Sequence, residues 1–154
     1  GVCFDSKFAL QANLATIRMQ FDVRPEIRLE QIHPKDVALA LSNAVAADNV
    51  DNKILLLGGG DHCRTTSGDL IQGIFDVIGI KLPAEIYGNG NFYTEWIDTS
   101  ESERLLKYQR HTLSQTIKEL SDKLRHVNVL LIPFRPVVPL IFKKILRPGV
   151  VAGR

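Results

Sequence analysis

The sequence holds two cysteines, Cys3 and Cys63, in 154 residues. They are too few for a disulfide framework and lack metal-ligand spacing, so a reduced, cytoplasmic setting is expected. An excess of one charge is missing too. Nineteen Lys and Arg against 17 Asp and Glu leave a formal net charge of +2, too little to imply a nucleic-acid partner, and bases mix with acids until the C-terminal tail. No apolar run is long enough to cross a bilayer, no signal peptide is visible, and no internal repeat is evident. The chain opens on Gly1-Val2 without a methionine, which reads as a processed chain or an excised piece. What is present suits one soluble globular domain with an ordinary core: 45% hydrophobic and 23% charged residues.

The organising stretch runs from Lys53 to Leu70. The apolar run Ile54 to Leu57 reads as a strand buried on both faces. Gly58-Gly59-Gly60 ends it, and Thr65 or Thr66 opens a helix that closes at Gly79. Strand, glycine loop and helix invite a dinucleotide-site reading. That reading is declined. The third glycine of Gly-x-Gly-x-x-Gly is missing, Asp61 puts a carboxylate where a pyrophosphate would sit, and no following strand bears a ribose-binding acid. Gly58 and Gly60 are therefore assigned structural roles, as is Thr66.

Upstream, Asp5 and Ser6 cap a helix carrying Phe8, Leu10, Leu14, Ile17 and Met19, stopped by Pro25. Arg28 to Ile32 alternates and predicts a strand with one solvated face. His33-Pro34 turns the chain into a helix from Lys35 to about Ala47, with Val37, Leu41 and Val45 on its apolar stripe. Downstream, Lys81 to Thr99 is irregular. Ser100-x-x-Glu103 reads as a capping box for a helix through Leu106, and Thr112-x-x-Gln115 as a second, for a helix with Leu113, Ile117, Leu120 and Leu124 on one stripe. The boundary is drawn at 126: residues 1–126 form the α/β domain and residues 127–154 an apolar, basic tail.

Four histidines, at 33, 62, 111 and 126, show no metal-ligand pairing at helical spacing. His33, at a strand end before a helix, is either a site residue or a turn-fixing side chain. Asp36 complements the helix dipole. His62-Cys63 needs a third, orienting group to be a nucleophile pair, and chain neighbours rarely face each other. Tyr93 and Trp96, with Arg64 or Asp98 for polarity, either line a small-molecule pocket or cover the edge of the core. The tail fits a partner domain or subunit better than an anionic membrane surface, because Pro133, Pro136 and Pro139 interrupt a long amphipathic helix.

The segment Arg28-Leu-Glu-Gln-Ile-His-Pro-Lys-Asp-Val-Ala-Leu-Ala40, the stretch Lys53 to Gly60, Thr65-Thr66 and the helix ending at Gly79 together resemble the C-terminal portion of NAD-dependent epimerase/dehydratases, the extended short-chain dehydrogenase/reductase family. The stretch Trp96-x-Asp98-Thr99-x-x-Ser102-x-x-Leu105-x-x-Tyr108-Gln109 looks like a later part of the same proteins, and the similarity spans roughly residues 20 to 125.

The resemblance implies a small, mostly helical α/β piece with two or three short strands, equivalent to the C-terminal part of an extended Rossmann-type enzyme. It implies NAD(P) for an intact member, with a sugar nucleotide or other carbonyl compound as substrate. The family's N-terminal glycine fingerprint and its Tyr-x-x-x-Lys pair have no counterpart among these residues, so no catalytic residue, cofactor or metal is assigned to this chain. His33, Arg64, Tyr93 and Trp96 are the substrate-side candidates. A missing cofactor-binding domain or a second copy would cover the exposed apolar faces. The alternative is a free-standing module that binds a small molecule or partner and performs no chemistry.

Overall fold

The computed structural model describes residues 2–3 and 14–145, with side chains from Arg18 onward except at 127 and 145. The helix cap placed at Asp5 and Ser6, and the end of the tail from 146, lie outside the described residues. The elements are β1 (Val2–Cys3), α1 (Leu14–Phe21), β2 (Arg28–Ile32), α2 (Pro34–Ala46), β3 (Arg64–Thr66), α3 (Ser67–Val77), α4 (Ser100–Leu106), α5 (Leu113–Leu131) and α6 (Val138–Ile145). Single 3-10 turns occupy Asp61–Cys63, Ala84–Ile86 and Ile132–Phe134. The chain is thus a small, mostly helical α/β unit.

Its sheet has the order β1-β2-β3. β1 runs parallel to β2, with Val2 opposite Gln31, and β2 runs antiparallel to β3, with Glu30 opposite Arg64. β2 lies where the alternation places it, but its polar residues are not solvated: Glu30 and Gln31 are both buried. Burial of Glu30 is tolerated because its carboxylate receives hydrogen bonds from three N–H groups, two of them backbone.

Pro34 takes the first turn of α2, where its missing N–H costs nothing. Of the expected stripe only Val37 packs on the core. Asp36 and Ala40 are buried, while Leu41 and Val45 point to solvent. Ala40 and Ala44 let α2 approach the chain around α4, where Asn43 Nδ2 donates to the Leu106 carbonyl at 2.6 Å.

The largest departure concerns residues 54–57. They belong to no strand among the described residues, and the run is not buried on both faces. Leu55 and Leu57 pack against the cluster of Ile32, Ala40, Leu106 and Tyr108, while Ile54 is 95% exposed and Leu56 55%. The period is that of a strand with one covered face; the four apolar residues in a row conceal it.

α3 is capped by Thr66, whose hydroxyl accepts from Asp69 N at 3.2 Å, and Gly79 follows its end at φ 70°. It packs on α5, where the capping box of Thr112 and Gln115 is formed in full. The box expected at Ser100 is not formed. Thr99 is the N-cap and makes no side-chain cap, Asp98 accepts from Ser100 N instead, and Glu103 is used elsewhere. α5 continues through position 127 to Leu131, so the tail begins inside a helix. A second cluster, Phe21, Ile71 and Ile86, is closed by Phe75 and by Phe142 of α6.

Candidate functional site

The three glycines after Leu57 lie at the junction of β2, α4 and the turn that follows α4. Lys107 adopts a left-handed conformation, φ 47°, which reverses the chain and sends Tyr108 back into the core, where it is 0% exposed. Glu103 fixes this return by accepting from the backbone N–H groups of Tyr108 and Gln109, both at 2.9 Å. The Tyr108 hydroxyl then donates to the Gly58 carbonyl at 3.0 Å and accepts from Gly58 N at 3.1 Å. Ser102 Oγ lies 3.2 Å from the same hydroxyl.

The remaining glycine amides are also engaged. Gly59 N donates to the Gln31 carbonyl at 3.0 Å, and Gly60 N to Glu30 Oε1 at 2.9 Å. Tyr108, Gln31 and Glu30 thus occupy the positions from which a phosphate would have to draw hydrogen bonds. Space is equally short. A Cβ at Gly59 would fall on the Gln31 carbonyl oxygen and within 2.5 Å of the Cys63 side chain.

Beside the loop opens a polar cavity of about 390 Å³, lined by Gly60, Arg64, Asp98, Thr99, Glu103 and Gln109 among others. Arg64 forms its inner wall. Its guanidinium donates to Glu30 Oε2 at 3.3 Å and to the Ile97 carbonyl at 3.4 Å, and pairs with Asp61. Two cations lie over the Trp96 ring: the Arg28 guanidinium is 4.7 Å and the Arg64 guanidinium 5.6 Å from its centre. Its indole N–H donates to the Thr65 carbonyl at 3.4 Å. Asp98, exposed at the rim, has its carboxyl held below the usual carboxylate range by hydrogen bonds from Ser100. Arg64 therefore lines the cavity, and Trp96 touches its guanidinium without belonging to the lining. Tyr93 is 95% exposed, so its ring is not packed against the core.

His33 belongs to a second cluster. Its Nδ1 accepts from Lys35 N at 3.1 Å, capping α2, and its Nε2 lies 3.3 Å from Glu119 Oε2. Its ring stacks on His111, with centroids 4.1 Å apart and planes 15° from parallel. Asp36, 1% exposed, accepts from the backbone N–H groups of Arg110 and His111 and reaches His111 Nδ1 at 2.5 Å. Its carboxylate ties the turn before α5 to the first turn of α2. Cys63 sits below the turn, 3.4 Å from the His111 carbonyl; burial, then the nearby Asp36 charge, pushes its thiol up and makes it a poor nucleophile.

One donor atom from each of His33, His111 and Glu119 lies within 4.8 Å of the others, a metal-like grouping. Two features oppose that use. His33 Nδ1 is spent as an acceptor, so Nε2 carries the proton and has no lone pair to give. Stacked, near-parallel rings also cannot aim both in-plane lone pairs at one ion. The grouping instead acts as a helix cap: His33 donates through Nε2 to Glu119, whose other oxygen pairs with Lys35 Nζ at 3.4 Å.

Sequence reasoning missed Glu30, Tyr108, Gln109 and His111. Glu30 had a readable signal, an acid in the middle of a strand. The others became visible only through the left-handed turn at Lys107, which no glycine announces. Comparison of the chain with family models, with curated proteins and with solved structures gives no match.

Proposed function

We propose that this chain is the substrate-binding part of an NAD(P)-dependent epimerase/dehydratase-like oxidoreductase, equivalent to the C-terminal portion of an extended Rossmann-type enzyme. Hydride transfer then requires a nucleotide-binding half that these residues do not supply, and the chain alone is inactive. The observation that carries the reading is the segment at 53–57. Its alternate residues Leu55 and Leu57 are packed while Ile54 and Leu56 face solvent, a one-sided apolar face that a covering domain would bury. The glycine loop supports it from the other side, since its amides are bonded to Tyr108, Gln31 and Glu30. The cavity beside Arg64 and Gln109 is the proposed substrate side, with Arg64 in its lining and the Trp96 ring against that guanidinium. A cytoplasmic setting fits the free, buried Cys63.

The test is a titration of the full chain with NAD and, separately, with a panel of nucleotide sugars, followed by amide chemical shifts. NAD is expected to give no binding heat. At least one nucleotide sugar is expected to shift amides near Gly60, Arg64 and Gln109. A low-micromolar NAD isotherm, or silence across the whole panel, defeats the proposal.

A further inference from the structure

We infer that the helical rod formed by the end of α5, the Ile132–Phe134 turn and α6 is a docking face for an anionic lipid surface. This rests on the rod alone and is independent of the function proposed above. Pro133, Pro136 and Pro139 do not break it. Ile132 and Arg135 keep right-handed helical dihedrals, and backbone hydrogen bonds run from Arg135 N to the Leu131 carbonyl and from Ile141 N to the Val137 carbonyl, both at 3.1 Å.

Helical spacing then sorts the side chains onto two sides. Asn128, Arg135 and Phe142, seven residues apart, face the body. Asn128 donates to the Val77 carbonyl at 2.9 Å and Arg135 to the Ile78 carbonyl at 3.0 Å. The Phe142 ring lies 5.3 Å from Phe75 and 6.0 Å from Phe21. On the opposite side Leu130, Phe134, Val137 and Ile141 repeat at spacings of four, three and four, each 46–72% exposed. Leu140 beside them is 67% exposed. An exposed apolar stripe of this length, held on a fixed rod, marks a contact surface.

Charge selects the occupant. No Asp or Glu follows Asp122, whereas Arg125, Lys143 and Lys144 lie on or beside the rod, and Arg135 is engaged with the body. A second copy laid symmetrically on the stripe would oppose these cations with identical ones and bring no acid near them. A copy offering its more acidic body would make a head-to-tail contact that propagates instead of closing. An anionic bilayer surface satisfies both features: the stripe enters the headgroup boundary and the lysines meet lipid phosphates and carboxylates. No described helix is long and apolar enough to cross a membrane, so the rod lies on it.

Flotation of the full chain with phosphatidylcholine vesicles, and with vesicles containing 30% phosphatidylserine (a chosen test composition), tests this. Binding is expected to the serine-containing vesicles only and should fall as salt rises. Lys143→Gln with Lys144→Gln should weaken partition about 30-fold, at about 1 kcal/mol per cation. Leu130→Gln with Ile141→Gln should weaken it by roughly a hundredfold or more. All four side chains lie outside the buried core, and circular dichroism would confirm that each variant keeps its fold. Equal binding to neutral vesicles, no flotation at low salt, or unchanged flotation of L130Q/I141Q overturns the inference. So does a lipid-free oligomer that L130Q/I141Q dissolves, which would assign the stripe to a second copy.

Discussion

At the scale of single residues, the hydroxyl of Tyr108 shows how the loop is held. Removing it in Tyr108→Phe leaves the Gly58 carbonyl with its second donor, Gln109 Nε2 at 3.0 Å, but strips the buried Gly58 N–H of its acceptor. Urea unfolding should show a loss of about 1–3 kcal/mol with an unchanged denaturant slope. Glu119 carries the clearest pH signature. The hydrogen bond from His33 is the main cause that holds its carboxyl below the usual range. A folded value below the unfolded one contributes stability that is present above the unfolded value and lost as pH falls through the folded one. The side chain is 40% exposed, so solvent screens the effect to within about 0.5 kcal/mol. Glu119→Gln should therefore flatten the acid limb of a stability–pH curve below roughly pH 4.5, and an unaltered acid limb would refute the assignment.

At the scale of elements, the glycine loop is the most constrained connection. In Gly59→Ala the new methyl meets the Gln31 carbonyl and Cys63, atoms held by β2 and by the neighbouring 3-10 turn. A cost of about 2 kcal/mol or more is expected, read as a lowered urea midpoint. Elements with local signals were legible from the chain: β2, the Pro34 start of α2, the Thr66 and Thr112 caps and the Gly79 stop. The faces they present were less so. Leu41 and Val45 read as core because they are apolar, yet the inward face of α2 is set by Asp36, whose hydrogen bonds reach a turn 74 residues away. The site was legible only in pieces. Arg64 and Trp96 come together as sequence proximity to irregular structure suggested, whereas His33 finds its partners in His111 and Glu119, through contacts that no local pattern encodes.

At the scale of the whole molecule, an uncovered apolar face has consequences in solution. Ile54 projects almost fully into water from a segment whose other side is packed, an arrangement that favours burial against a second copy. Sedimentation at tens of micromolar is expected to show self-association, a concentration scale typical of weak contacts. Ile54→Lys should shift it to monomer, and a clean monomer for the unmodified chain would remove the expectation.

Three residues without side chains in a row would ordinarily be where a polypeptide bends. Here the amides at 58–60 are bonded to Tyr108, Gln31 and Glu30, and the pliancy that glycine confers has been cancelled by its surroundings. A hinge, if the molecule works by closing on a reactant, must therefore lie outside this loop.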